Sequence, residues 1–296
     1  MLNTSSSRRV TAKGYAKANL YLNILGGEVD NLGDKKHLVD TIYCALDLHD
    51  DVTIEYIPGA PFSITTECQS AGQYSKMCQN VPLDETNLAV VVTKRLLKLL
   101  DITPDFALKV LITKRIPVCA GLAGGSADAA ATLVALRELL PEVLGIELQD
   151  EQLLEVARTS GSDIPFALMA STLKQADGAR KVVARGTHYG EVLEELNDFP
   201  EVQLQIFPQE FELRACEVYK KWDELQAGVM KHSDRSTQKH IGFNALQKAV
   251  FALSPELITV FRNFSARIGE SANSAWLVSG SGPTILHLNM QRLDFC

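Results

Sequence analysis

Residues Pro117 to Ala131 read Pro-Val-Cys-Ala-Gly-Leu-Ala-Gly-Gly-Ser-Ala-Asp-Ala-Ala-Ala, a turn with three glycines that runs directly into an alanine-rich helical pattern. Glycine lets the backbone approach a neighbour closely and adopt positive φ. The first N–H groups of a helix lack intrahelical acceptors and sit at its positive end. Together these make a cradle for phosphate, and ATP is the expected guest of residues Pro117, Val118, Cys119, Ala120, Gly121, Leu122, Ala123, Gly124, Gly125, Ser126 and Ala127. The apolar alternation from Phe106 to Ile112, followed by Lys114 and Arg115, places a strand before the turn. Ser126 stands where a helix N-cap is expected and offers a hydroxyl to Mg²⁺ or a phosphate. No Lys follows Gly125, so the spacing is neither that of the P-loop nor G-x-G-x-x-G. The competing structural reading is a glycine-rich loop before a buried helix.

A chain of 296 residues is long enough for two domains. The net charge of −7 argues against a nucleic-acid surface built on bulk positive charge. The six cysteines form no C-x-x-C pair and no metal-type spacing with the six histidines, so reduced thiols in a cytoplasmic protein are expected and no metal-ligating residues are assigned. Met1 to Val10 lacks the apolar stretch of a signal peptide, and no apolar run of about 18 residues occurs. Neither export nor a membrane span is expected.

Strand-like alternation recurs at Val10 to Ile24, Leu38 to Leu48, Val52 to Ile57 and Phe62 to Cys68, which predicts an antiparallel β region at the start. Leu88, Val91, Val92, Leu96, Leu99 and Leu100 mark one face of a helix capped by Thr86 or Asn87. Helices are predicted from about Ser126 to Leu140 and from Asp150 to near Gly161. Beyond Leu168 the pattern predicts strands at Lys174 to Ala184 and Val202 to Phe207, then a helix at Ala215 to Leu225. The polar segment Gly228 to Ile241 reads as a mobile connection. Helices at Asn244 to Ala252 and Pro255 to Arg267 and a strand pair around Ser279 to Pro283 complete the chain. A boundary near residue 174 divides it into domains 1–173 and 174–296.

With ATP in the cradle, transfer needs an acceptor that is positioned and deprotonated, and stabilisation of charge on the moving group. Asp163 lies between a glycine turn and Pro165, where capping the next helical turn is the structural alternative. Lys17 is the one charge in an otherwise apolar and small-residue stretch, where the alternative is a solvated strand face. An ammonium beside Asp163 would hold it ionised as a base. His37 can donate to or accept from a base edge, and Ser279 to Thr284 offers a second backbone clamp, although each is also common on surfaces and in hairpin turns.

Taken together these segments resemble the GHMP small-molecule kinases, and within them the 4-diphosphocytidyl-2-C-methyl-D-erythritol kinase family. Tyr15-Ala16-Lys17-Ala18-Asn19-Leu20-Tyr21-Leu22 is similar to the family opening, Pro117 to Ala131 to its ATP motif, Gly161 to Phe166 to the motif carrying its catalytic Asp, and the segment from Gly280 to its closing motif. The resemblance implies a two-domain α+β fold with antiparallel-rich sheets and helices, and the glycine-rich phosphate loop before a helix. It implies Asp163 as base, Lys17 as its electrostatic partner, ATP with Mg²⁺ as the phosphoryl source, and a cytidine diphosphate-linked polyol as the small-molecule substrate. Asn19, His37 and Tyr219 are its implied substrate-binding residues, with Tyr219 a stacking platform. No obligate protein partner is implied. The chain departs from the pattern at Lys36, where an aromatic residue is usual, at Ala127 in place of Ser, and near Arg214 and Ala215. It also stops 14 residues after Gly282, so either a trimmed C-terminal domain or an incomplete chain is expected. Another small alcohol as acceptor, or a nucleotide-binding relative without transfer, remain the open alternatives.

Overall fold

Alternating apolar residues at the start produce two long strands, β1 (Arg8–Val29) and β2 (Lys35–Pro58). Leu38–Leu48 and Val52–Ile57 are thus one continuous strand. The computed structural model describes residues 6–29, 35–225, 241–269 and 273–290. The connection expected at Gly228 to Ile241 lies, apart from its last residue, outside the described residues.

By contacts the chain falls into two compact units, one of residues 1–16, 45–118 and 123–181, the other of residues 17–44, 119–122 and 182–296. The division cuts through β1 and β2, so each contributes residues to both units.

In the first unit β3 (Ser63–Ser70) runs parallel to β4 (Phe106–Lys114), and residues Asp51 to Pro58 of β2 pair antiparallel with β4. Among the described residues this unit has the α-helices α1 (Leu88–Leu99), α2 (Gly124–Leu144), α3 (Asp150–Ser160) and α4 (Ile164–Ala176). Asn87 caps α1, its side chain accepting from the Ala89 N–H at 2.9 Å. The buried face of α1 is Ala89, Val90, Val92, Thr93, Leu96 and Leu97, rotated from the expected one, and Leu99 is exposed. The expectation weighed only large apolar residues and passed over Ala89, which is fully buried in the core. Helix α2 is buried from Ala127 to Leu136 without a break, as a central helix apolar on all sides must be. It joins Leu108, Val110, Leu153 and Ile164 in one core.

Residues Lys174 to Ala176 are helix, not strand. The spacing Ala167, Ala170, Ser171, Lys174 gives α4 a buried face, and β5 (Val183–His188) begins only afterwards. The Lys174 ammonium is buried and satisfied by Asp47 at 2.9 Å and the Arg180 carbonyl at 3.1 Å.

In the second unit β5 pairs antiparallel with residues Val39 to Cys44 of β2 and with β6 (Val192–Glu195). A three-stranded antiparallel sheet has the order β7 (Val202–Phe207), β9 (Ile285–Met290), β8 (Ser274–Val278). Helices α5 (Ala215–Leu225), α6 (Gln247–Leu253) and α7 (Pro255–Ile268) share a separate core with it, built on Val218, Trp222, Leu246, Val250, Leu257 and Trp276. The α+β composition expected from the sequence is the one observed. Among the described residues no helix is long and apolar enough to cross a membrane.

Leu136 sits fully buried in the middle of α2. Truncation to alanine is expected to cost about 2 to 5 kcal/mol, because the transfer free energy is lost and a cavity remains. Urea unfolding of Leu136→Ala followed by far-UV circular dichroism measures it.

Candidate active site

Between β4 and α2 the backbone enters the left-handed region three times, at Cys119 (φ 52°), Gly121 (φ 76°) and Ala123 (φ 57°). Ala123 is the N-cap residue of α2, and its methyl group cannot cap. Ser126 is therefore a residue of the first turn, half-buried, and not the cap. The first backbone bond of the helix runs from the Ala127 N–H to the Ala123 carbonyl at 2.9 Å. The donors of Gly124, Gly125 and Ser126 precede it and have no acceptor within the helix. They mark the positive end of a 21-residue dipole. Gly125 is exposed, and a Cβ on Gly124 would lie 3.0 Å from the Lys114 Nζ and 3.1 Å from Ile116. The approach to the turn is fixed: Pro117 is buried and the Val118 N–H donates to the Met77 carbonyl at 2.9 Å.

Within the second unit the carbonyls of Cys119, Ala120 and Leu122 accept from the N–H groups of Leu213, Thr284 and Lys17 at 3.3, 3.2 and 3.1 Å. The Gly121 carbonyl accepts from the Ser279 hydroxyl at 3.0 Å. In a trans peptide the N–H points opposite to the preceding C=O, so the N–H groups of Ala120, Gly121 and Leu122 face away from these anchors. A Cβ on Gly121 would stand 2.2 Å from the Ser279 carbonyl oxygen, which with φ of 76° restricts the position to glycine. Burial, and next the Glu212 carboxylate, push the Cys119 thiol above its ordinary range.

Lys17 is only 6% exposed, so the solvated-face reading does not hold. Its ammonium donates to Asn19 Oδ1 at 2.7 Å and lies 5.4 Å from the centre of the Tyr43 ring. Asn19 Nδ2 donates to the Thr41 hydroxyl at 2.7 Å, and that hydroxyl donates to the Tyr21 carbonyl at 2.6 Å. Gly280, at φ 52°, closes on this group: a Cβ there would lie 2.9 Å from Asn19 Oδ1 and 3.3 Å from Lys17 Nζ. Asn244 Nδ2 holds the carbonyls of Val278 and Gly280, each at 2.7 Å. Asn244 escaped the sequence reading because its contact is 36 residues away in the chain.

His37 and Tyr219 are brought together, with ring centroids 4.8 Å apart. The His37 ring is nearly buried, bonds Asp223 at 2.9 Å and meets Trp222 edge-on at 5.6 Å. Asp223 and Trp222 were not picked out, although the spacing of Tyr219, Trp222 and Asp223 places them on one face of α5. Lys36 places its ammonium 5.2 Å from the centre of the Tyr189 ring.

In the first unit Asp163 is the N-cap residue of α4, with Pro165 in the first turn, but its carboxylate does not cap the helix. The turn is closed by backbone instead, the Ile164 N–H donating to the Gly161 carbonyl at 3.1 Å. The half-buried Asp163 lies at the positive end of α4.

A buried charged cluster was missed. Lys114 Nζ donates to Asp50 Oδ2 and Asp128 Oδ2, both at 2.6 Å. Asp50 Oδ1 accepts from the backbone N–H groups of Arg115 and Ile116. Residues 50, 114 and 128 are far apart in sequence, and nothing in their local patterns joins them. Burial, opposed by Lys114 and reinforced by Asp50, holds the Asp128 carboxyl well above the ordinary carboxylate range. Lys114 stays protonated because its two carboxylates outweigh the burial that opposes its charge.

No group of three His, Cys, Asp or Glu among the described residues forms a ready metal cage. The donors at the turn, backbone N–H groups and the Ser126 hydroxyl, suit phosphate oxygens, with a magnesium ion as the companion of those phosphates.

The model of the GHMP kinases N terminal domain matches residues 87–171, from the cap of α1 to α4. The chain is 33% identical over 297 residues to the 4-diphosphocytidyl-2-C-methyl-D-erythritol kinase of Bifidobacterium adolescentis, covering 96% of this chain and 84% of that protein. It is 33% identical over 296 residues to the protein of the same name from Corynebacterium glutamicum, covering 95% and 85%. A crystal structure of 4-(cytidine 5'-diphospho)-2C-methyl-D-erythritol kinase superposes with a TM-score of 0.63 at 25% identity, covering 94% of this chain and 89% of that one. The chain therefore belongs to the 4-diphosphocytidyl-2-C-methyl-D-erythritol kinase family of the GHMP kinases, ATP-dependent enzymes that phosphorylate small molecules.

Proposed function

We propose that the protein transfers the γ-phosphoryl group of ATP to the 2-hydroxyl of 4-diphosphocytidyl-2-C-methyl-D-erythritol in the cytoplasm, releasing ADP. The observation that carries the reading is the left-handed turn at Cys119, Gly121 and Ala123, which delivers the uncapped start of α2 as a phosphate cradle. Similarity to relatives of this name across most of the chain supports the acceptor.

The residues take the following roles. The turn and the first-turn N–H groups of α2 hold the phosphates, and the Ser126 hydroxyl serves them or a magnesium ion. That ion, when bound, offsets phosphate charge. Asp163 accepts the proton of the acceptor hydroxyl, whose oxygen forms the bond to the γ-phosphorus as the bond to the β-γ bridging oxygen breaks. The Lys17 ammonium, held by Asn19, offsets the negative charge that develops. The ring of Tyr219 and the imidazole of His37, oriented by Asp223, receive the cytosine.

Lys36 favours a second reading, another small alcohol as acceptor, because its ammonium lies against Tyr189 where relatives present an aromatic ring. Inhibition by CMP or CDP separates the two: competition against the acceptor supports the cytidylyl substrate, and indifference supports the alternative.

Asp163→Asn is expected to lower kcat by about 10² to 10⁴ while ATP binding persists, as for loss of a general base. Unchanged turnover would remove Asp163 from the mechanism. Lys17→Met is expected to lower kcat by about 10² to 10³, since it deletes a charge aimed at the transition state. Both are measured as ADP release from Mg-ATP with and without 4-diphosphocytidyl-2-C-methyl-D-erythritol. Wild-type release that ignores the acceptor would overturn the proposed function.

A further inference from the structure

The Lys17 side chain is buried, and burying a charge is costly unless its surroundings answer it. Lys17 and Asn19 are two apart on β1 and share a face, as do Thr41 and Tyr43 on β2. The hydrogen bond from Asn19 to Thr41 ties the two strands together. Asn19 Oδ1 accepts from the ammonium, which also lies over the Tyr43 ring, 5.4 Å from its centre. Tyr43 is 3% exposed, so the cation meets the negative face of the ring away from water, where that attraction is strongest. Neither the amide nor the ring carries a formal charge, so both orient the ammonium without cancelling its field. We infer that Tyr43 is a positioning residue for phosphoryl transfer, whose ring face fixes the Lys17 ammonium where the reaction needs its charge. The inference rests on the role proposed above for Lys17.

Two glycines make room for that ring. In the antiparallel pairing of β2 with β5, Ala184 stands opposite Tyr43 and Gly186 opposite Thr41. The ring slants across β5 over Gly186, where a Cβ would lie 2.5 Å from Tyr43 Cε2. Its hydroxyl ends at Gly190, where a Cβ would lie 2.3 Å from the oxygen. Gly190 sits at φ 104° in the turn after β5, its N–H donating to the Thr187 carbonyl at 3.0 Å. A side chain at either position would displace the ring from the ammonium. Glycine inside a strand weakens it and marks such a close approach, and Gly186 meets that description.

A lysine stem is flexible, and a wall that attracts its ammonium narrows the positions the charge can take. Charge held in place before the reaction needs no reorganisation during it. Loss of the wall therefore lowers kcat and leaves the affinities for both substrates in place, because the gain is realised only in the transition state.

ADP release by the full chain, with Mg-ATP and 4-diphosphocytidyl-2-C-methyl-D-erythritol each varied, gives kcat and both KM values. Tyr43→Leu keeps an apolar side chain but removes the ring face. It is expected to lower kcat about threefold to thirtyfold, the range of a desolvated cation–π contact, with both KM values within about twofold of wild type. Tyr43→Phe retains the face and is expected to restore kcat. In a Lys17→Met background Tyr43→Leu is expected to cost nothing further, whereas a loss through packing alone would add to that of Lys17→Met. Additive losses, an unchanged kcat in Tyr43→Leu, or a Tyr43→Phe as slow as Tyr43→Leu each overturn the inference and leave the role of Lys17 standing. Full turnover in Lys17→Met overturns both. Should Tyr43→Leu fail to fold, phenylalanines carrying one, two and three ring fluorines in place of Tyr43 decide. Each fluorine withdraws charge from the ring face at little change in shape, so kcat is expected to fall stepwise, and a flat series overturns the inference.

Discussion

A buried helix whose N-terminus has no side-chain cap is the constraint on which the rest of this structure depends. Helix α2 is surrounded by apolar contacts, so its position is dictated by packing. Its entry is a left-handed alanine that offers no oxygen to the first-turn donors. Leaving several N–H groups unsatisfied is costly unless solvent or a ligand meets them. At the start of α2 the fold accepts that cost, and the surrounding residues hold the turn rather than fill it. The Cys119 to Leu122 carbonyls are each engaged, which leaves the turn little freedom to collapse and satisfy its own donors.

Holding such a turn requires buried polar groups, and the two clusters meet the requirement differently. Around Lys17 the ammonium, the Asn19 amide and the Thr41 hydroxyl form a chain in which each member orients the next, closed by Gly280. Around Lys114 the same task is done by full charges at 2.6 Å. Charges in such surroundings bind strongly but tolerate no mismatch in number, and with two acids on one ammonium the second oxygen of Asp128 stays buried without a hydrogen-bond partner.

What the sequence revealed follows from how far each interaction reaches along the chain. The cap at Asn87, the helix from Asp150 and the glycine turn are local patterns, and all three were read correctly in type. Lys174 to Ala176 was read as strand, whereas a buried lysine satisfied by Asp47 completes the buried face of α4. The pairing of His37 with Tyr219 came through resemblance alone. Their partners Trp222 and Asp223 were nevertheless legible from helical spacing on α5. Asp50, Lys114 and Asp128 have no local signal: an acid in a strand, a lysine after an apolar run and an acid within an alanine run each have an ordinary explanation. Only the fold brings them to one point.

The alanine at position 127 bears on whether such a protein retains transfer, since relatives carry a second serine there. Position 127 is fully buried. Its N–H already closes the first bond of α2, and its carbonyl faces Gly14 so closely that a Cβ at Gly14 would lie 2.1 Å from the oxygen. A hydroxyl at 127 would enter a packed interior, where it would need a partner of its own. The half-buried residue of the pair is Ser126, in the first turn, and its hydroxyl is retained. The substitution therefore removes a polar group from the helix interior and leaves the first-turn donors unchanged. The change is one of packing and leaves the residues proposed for transfer as they are.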